Sequence, residues 1–320
     1  MSTLLRRRLA DAHEGPVYVA AEDALYFASG VRRTGDARGA VADICRWDLA
    51  RDAVDVWLSD APVPNGMSLS CEGDCLLVCE QGHLTRPSAV ARYRLADGHR
   101  ISVVDEYAGR PFNSINKCLE LAPGTYVFSD PDYGRRQGFR PTRLDVRERD
   151  SFVSPETFAQ EGRPPDSLPP SLYLHREART YRLAVSALSQ PHGLAYDPER
   201  GLLYVSDTAA DDGGGGYDPT RSRRIVVYSL DAVQAKLTDP REVFVAESGI
   251  PDGMACDRAG RLCCATGDGV HVLAPDGGGE LAHLRIDGGA VNLCLDEPRG
   301  RLFVTVDDAV EVHAWPAELA

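Results

Sequence analysis

The stretch Arg110-Pro-Phe-Asn-Ser-Ile-Asn-Lys-Cys-Leu-Glu-Leu-Ala-Pro-Gly-Thr-Tyr-Val-Phe-Ser-Asp-Pro-Asp-Tyr-Gly134 decides the fold. A polar turn carrying Asn113 and Asn116 leads into a short apolar run with Cys118, Leu119 and Leu121. The turn Ala122-Pro123-Gly124 follows, and a second run, Thr125 to Ser129, ends in Asp130-Pro131-Asp132-Tyr133-Gly134. Two short apolar runs joined by a Pro-Gly turn predict a β-hairpin with amide and carboxylate side chains at one end of its strands.

The same unit recurs along the chain. It reads Glu14-Gly-Pro-Val-Tyr-Val then Ala24-Leu-Tyr-Phe-Ala-Ser-Gly, and Asn65-Gly-Met-Ser-Leu then Cys75-Leu-Leu-Val-Cys-Glu80. After the opening hairpin come Pro191-His-Gly-Leu-Ala-Tyr then Gly201-Leu-Leu-Tyr-Val-Ser-Asp-Thr208, Pro251-Asp-Gly-Met-Ala-Cys then Gly260-Arg-Leu-Cys-Cys-Ala-Thr266, and Ala290-Val-Asn-Leu-Cys-Leu then Gly300-Arg-Leu-Phe-Val-Thr305. Repeats start near residues 14, 65, 116, 192, 252 and 292. Further strands are expected between them, around Ile44, Val90, Thr180, Arg224 and Gly269. Repeats that each bury too little alone must stack, so the chain is expected to be all-β: one six-bladed β-propeller domain over residues 1–320.

Three segments interrupt the pattern. A Pro- and Arg-rich insertion over about 135–172, between blades three and four, reads as a rim insertion or lid, because unstructured loops of that length are uncommon in compact domains. Residues 209–223, with four glycines at 213–216, read as a loop or a second rim element. Ser229 to Leu237 reads as a short helical turn.

Acidic residues outnumber basic ones, 48 to 35, for a formal net charge of -13, which argues against nucleic acid and anionic membranes as partners. Lysine occurs only at Lys117 and Lys236, which makes a lysine beside Asn116 notable. No run approaches a membrane span, and the basic segment Met1 to Leu9 lacks an apolar core, so a signal peptide is not expected. Nine scattered cysteines, an odd count, fit reduced thiols in the cytoplasm. Cys71, Cys75 and Cys79 are spaced by four, but Cys75 to Cys79 reads as a strand, so they are expected as small buried residues rather than a metal cluster.

In a propeller the first strand of each blade lines the channel, so Glu14, Asn65, Asn116, His192, Asp252 and Asn292 are expected to converge. The ends of the following strands add Glu80, Asp130 and Asp207. Any one of these before glycine is an ordinary turn former. Their recurrence at matching repeat positions points instead to a divalent-cation site, where oxygen ligands suit Ca²⁺, Mg²⁺ or Mn²⁺ and a histidine shifts preference toward Mn²⁺, Fe²⁺ or Zn²⁺.

These motifs, with Phe128-Ser-Asp-Pro-Asp-Tyr-Gly, Leu203-Tyr-Val-Ser-Asp-Thr and Gly267-Asp-Gly-Val, resemble the senescence marker protein/gluconolactonase (regucalcin-like) family. Gly134 to Arg140 and Gly216-Tyr-Asp-Pro-Thr220 resemble its fungal-type branch. The resemblance implies one divalent metal ion, Ca²⁺ in first place with Mn²⁺, Zn²⁺ or Fe²⁺ admitted by His192, held by Glu14, His192 and Asp252, with Asn116 toward substrate or water and Asp252 also accepting a proton. It further implies a small-molecule substrate and a monomer or homodimer. Two positions depart from the family pattern: His192 stands for an asparagine and Lys117 for an aspartate. Lys117, placed after an inward Asn116, is expected to point outward to the neighbouring blade.

The function so implied is a metal-dependent hydrolase acting on a lactone in the central channel, with Asp252, Asn116 and His192 catalytic. Asn113, Asn116, Lys117, Glu80, Asp130 and Tyr133 are then the candidates for substrate contact. Two alternatives stay open. One is an isomerase, cyclase or lyase on the same site with His192 as acid/base. The other is a non-catalytic ligand-binding propeller.

Overall fold

The hairpin forms as read: Cys118–Ala122 pairs with Thr125–Asp130 across the Pro-Gly turn. Its sheet continues through Ser171–Arg176 to Arg179–Leu183. The computed structural model describes residues 3–138, 167–185, 188–316 and 319. Most of the expected insertion over 135–172 therefore lies outside the described residues.

Five further antiparallel sheets repeat this order around a ring. The second, fourth and fifth blades start on Pro64–Leu69, Pro191–Asp197 and Met254–Cys256. Blade one begins on Glu14–Val19 and adds the short strand Arg32–Arg33 at its margin. Blade six begins on Asn292–Asp296, and its outermost strand is Leu4–Leu9 from the start of the chain, paired with Ala309–Ala314. The ring thus closes by hydrogen bonds between Leu4–Leu9 and Ala309–Ala314.

The core lies between blades. Met67 and Val78 of blade two pack with Val17 and Tyr26 of blade one. Phe112, Phe128 and Tyr173 stack against Leu77 and Val90 at the next seam. Corresponding clusters fill the other four seams. Second strands are buried on both faces, which explains continuous apolar runs such as Cys75–Glu80 in place of an alternating pattern.

The expected helical turn at Ser229 to Leu237 is overturned. Arg224–Asp231 and Lys236–Val245 are strands joined by a turn. Asp231 causes it: its Oδ1 accepts the N–H groups of Val233 and Gln234, an Asx turn that ends the strand and reverses the chain.

Candidate active site at the channel mouth

The x-Gly dipeptides of blades one, two and four sit at breaks in strand register of the β-bulge kind. In blade one the register shifts between Glu14 and Val17, in blade two between Pro64 and Met67, and in blade four between Pro191 and Leu194. A bulge frees one residue from the ladder and re-aims its side chain. The glycine answers a second demand, space. A Cβ on Gly66 would lie 2.3 Å from Asn116 O, and one on Gly193 would lie 2.2 Å from Asp252 O. Each glycine therefore admits the backbone of the next blade, and so the next polar residue, to the ring.

Glu14, Asn65, Asn116, His192 and Asp252 are thereby brought to one cavity of about 350 Å³ at one mouth of the channel. Tyr133 joins them from the helical turn Tyr133–Arg136; its ring stands edge-on to His192 at 5.2 Å and its hydroxyl donates to Thr208 O. Asn292 supports the ring without lining the cavity, its Nδ2 donating to Glu14 Oε2 at 2.8 Å.

A hydrogen-bond relay sets the tautomer of His192. Gly66 N–H donates to Asn65 Oδ1 at 2.8 Å, which identifies that atom as the oxygen. Asn65 Oδ1 also accepts from Asn116 Nδ2 at 2.9 Å. The same Asn116 amide nitrogen donates to His192 Nε2 at 2.7 Å. An imidazole nitrogen that accepts leaves the proton on the other one. His192 is therefore the Nδ1–H tautomer, and Nδ1, buried and without a hydrogen-bond partner, faces Asp252 Oδ1 at 3.4 Å. Burial pushes the imidazole pKa down to about 4, so the ring is neutral at pH 7.

Asp252 is shifted the opposite way. Burial and then the charge of Glu14 hold its carboxyl well above the usual carboxylate range. Two carboxylates forced together at a desolvated mouth repel, and a divalent cation would relieve that repulsion. Glu14 and Asp252 fit such an ion. The Asn116 amide adds an oxygen on the cavity wall, since both hydrogens of its nitrogen are engaged. His192 fits less well than the sequence suggests, because its free nitrogen carries a proton.

Four candidates for substrate contact sit elsewhere. Glu80 is fully buried, with Arg100 bonded to both carboxylate oxygens and Tyr93 to one of them. Asp130 accepts from the backbone N–H groups of Asn113 and Ser114 and from Asn113 Nδ2, so it braces the turn before Asn116. Asn113 is bound in turn by Arg135 Nε. The polar groups of these residues are consumed by partners within their own blades. Asp207 does the same in blade four, accepting from Ser189 N and Gln190 N.

Lys117 does reach the neighbouring blade, donating from Nζ to Met67 O at 2.7 Å. It is nonetheless buried in the channel, at the inner side of a separate, mainly apolar cavity of about 390 Å³ whose lining includes Leu119, Leu194 and Leu293. Burial pushes its pKa down.

Two titratable cavity residues are not among those expected from the sequence. His13, raised in pKa chiefly by its hydrogen bond to Asp307 at 2.8 Å, directly precedes Glu14. Asp211, raised by burial, comes from the 209–223 loop, which is thus a rim element. The signals were present: a histidine adjoining a ring carboxylate, and a carboxylate in an insertion just after a strand end.

Six blades around a channel with an acid-bearing mouth define the class: a six-bladed β-propeller with a small polar cavity on its axis. The chain belongs to the SMP-30/gluconolactonase/LRE-like family, whose model matches residues 12–307. It is 29% identical over 223 residues to a gluconolactonase of Zymomonas mobilis, a match covering 68% of this chain and 52% of that protein, so the chain spans about half the length of this relative. A gluconolactonase structure from Xanthomonas campestris superposes with a TM-score of 0.71 at 27% identity, covering 96% of this chain and 87% of that one. The calcium-binding protein regucalcin of Agrobacterium tumefaciens shares the fold, with a TM-score of 0.64 at 15% identity over 98% of this chain and 93% of that one.

Proposed function

We propose that this protein is a metal-dependent lactonase acting at the Glu14–Asp252 mouth of the channel. The observation that carries the reading is the pairing of these two carboxylates in one cavity, where burial and then the charge of Glu14 hold the Asp252 carboxyl well above the usual carboxylate range. Family membership and gluconolactonase relatives support the substrate class.

Glu14 and Asp252 would hold the ion, with the Asn116 amide oxygen as a neutral donor. A divalent cation bound there supplies Lewis-acid polarisation of a carbonyl and lowers the pKa of water. In lactone hydrolysis, water adds to the carbonyl carbon, the bond from that carbon to the ring oxygen breaks, and the ring oxygen takes a proton. Asp252 accepts the proton of the attacking water and returns one to the leaving oxygen. His192 is a positioning residue: neutral at pH 7, it sets Nδ1 3.4 Å from Asp252 Oδ1. Neutral imidazole is too weak an acid to give up its Nδ1 proton, so the acid/base role considered for His192 passes to Asp252. Tyr133 and Asn65 flank the cavity as contacts for ring hydroxyls.

The test is hydrolysis of an aldonolactone followed by proton release, before and after chelation and on return of Ca²⁺ or Mn²⁺. Chelation should abolish activity and the metal restore it, and Asp252→Asn should lower kcat/KM by about 10²-fold or more. Activity unaffected by exhaustive chelation, or no hydrolysis above the spontaneous rate with either metal, rules the reading out.

A further inference from the structure

The outer strands of blade five carry a second cluster of ligand atoms, separate from the channel. Gly269–Leu273 and Glu280–Arg285 pair in a register that puts His271 directly opposite His283, so both side chains leave the same face of the sheet. Asp268, in the hairpin turn just before Gly269, reaches over the same face. Its two oxygens are divided between the rings: Oδ1 lies 3.2 Å from His271 Nε2, and Oδ2 lies 3.5 Å from His283 Nε2. One ligand atom from each residue falls within 4.8 Å of the other two.

We infer that Asp268, His271 and His283 form a binding site for a transition-metal dication of the Zn²⁺ class. Four observations lead there. A tetrahedral ion with bonds of about 2.0–2.1 Å sets its ligand atoms roughly 3.3 Å apart, close to both separations found. The Nε2 atom of His283 is buried and makes no hydrogen bond, an orphan directed at the cluster. His271 Nδ1 meets Glu280 Oε2 at 2.9 Å, the carboxylate–imidazole pairing that fixes the opposite nitrogen as a metal donor. Thr266 Oγ1 donates to Asp268 Oδ1 at 2.8 Å and holds that carboxylate in place.

The donor set selects the ion. Two imidazoles and one carboxylate suit Zn²⁺, Ni²⁺ or Cu²⁺ and leave Ca²⁺ short of oxygen ligands. The partly exposed Asp268 and His283 leave the fourth position to solvent. The rings now lie stacked, with centroids 3.9 Å apart, and binding draws their Nε2 atoms together and splays them. The site would staple the Gly267-Asp268 turn to the outermost strand. That turn also bonds to the rim, Gly267 N to Ser248 O, two residues before the cavity residue Ile250.

The competing account of the same contacts is an imidazolium of His271 bridging Glu280 and Asp268, with no metal. Equilibrium dialysis and calorimetry with Zn²⁺ on the whole chain and on His283→Gln separate the two. Wild type should bind one more equivalent of Zn²⁺ than the variant, and Zn²⁺ should raise the Tm of wild type more than that of the variant. Co²⁺ added to wild type should give a visible ligand-field absorption that His283→Gln lacks. Because the Co²⁺ spectrum is read first on wild type, the test survives a variant that folds poorly. Equal Zn²⁺ stoichiometry in the two proteins, or no Co²⁺ absorption in wild type, overturns the site.

Discussion

Asn116 Nδ2 donates to His192 Nε2 at 2.7 Å across the seam between blades three and four. This one bond assigns the imidazole proton to Nδ1 and turns an expected metal ligand into a donor facing Asp252. Long-range ¹H–¹⁵N correlation on histidine-labelled protein should therefore place the His192 proton on Nδ1. Asn116→Asp has no N–H to give and should move the proton to Nε2. The Nδ1 lone pair would then face the cavity, and channel affinity for Zn²⁺ should rise by about tenfold or more. An Nε2–H tautomer in wild type would contradict the relay.

The Asp252 carboxyl also sets a pH dependence. Its folded pKa is raised, so the native protein holds a proton that the unfolded chain has lost, and stability from this group declines as pH rises through the folded value. His192 acts oppositely: its lowered pKa costs stability only as pH falls from 6.5 toward about 4. From the ordinary carboxylate range up to its raised folded value the Asp252 effect runs opposite to that of His192. In chelated protein, the Tm of wild type relative to Asp252→Asn should fall as pH rises, and saturating Ca²⁺ should reverse that fall. Metal affinity should increase over the same range, because the cation competes with the proton. A wild-type affinity independent of pH would count against the Glu14–Asp252 pair as ligands.

Glu80 separates architecture from chemistry. Its carboxylate is fully buried and bonded by Arg100 and Tyr93. Glu80→Ala leaves a largely buried guanidinium without its counter-charge and should destabilise by about 3 kcal/mol, the lower end for broken buried pairs because Arg100 retains some solvent contact. Urea unfolding should show this, with KM for lactone unchanged under conditions where the variant is folded. A raised KM with unchanged stability would return Glu80 to the site.

Gly193 tests the spacing of the ring. An added methyl would meet Asp252 O at 2.2 Å and Ser206 Oγ at 3.1 Å, so Gly193→Ala must push blades four and five apart. Overpacking of this kind should cost about 1–3 kcal/mol. Because the displaced group is the backbone of Asp252, metal affinity should drop along with Tm. Loss of Tm alone would mean that the mouth adjusts independently of the seam.

The propeller was legible in the sequence because each blade is local. A hairpin, its turn and its buried second strand lie within a few tens of residues, and the same text repeats at each blade. The ring of Glu14, Asn65, Asn116, His192 and Asp252 was legible for the same reason: equivalent positions in a closed repeat must converge. What repetition could not disclose was the direction and partner of each side chain. Glu80, Asp130 and Asn113 have the right types for a site, yet hydrogen bonds within their own blades hold them away from the cavity. Asp231 ended a strand where the sequence suggested a helical turn. His13 and Asp211 entered the cavity from outside the repeat.

The sequence by itself determined the number of blades, the order of strands and the set of polar residues on the axis, because those follow from periodicity and turn chemistry. Only the tertiary structure decided which nitrogen of His192 carries the proton, where Lys117 goes, and that Asp268, His271 and His283 meet on one face. Each of those depends on contacts across a seam or a strand pair at distances near 3 Å, and hydrogen bonding and metal coordination are decided at that range.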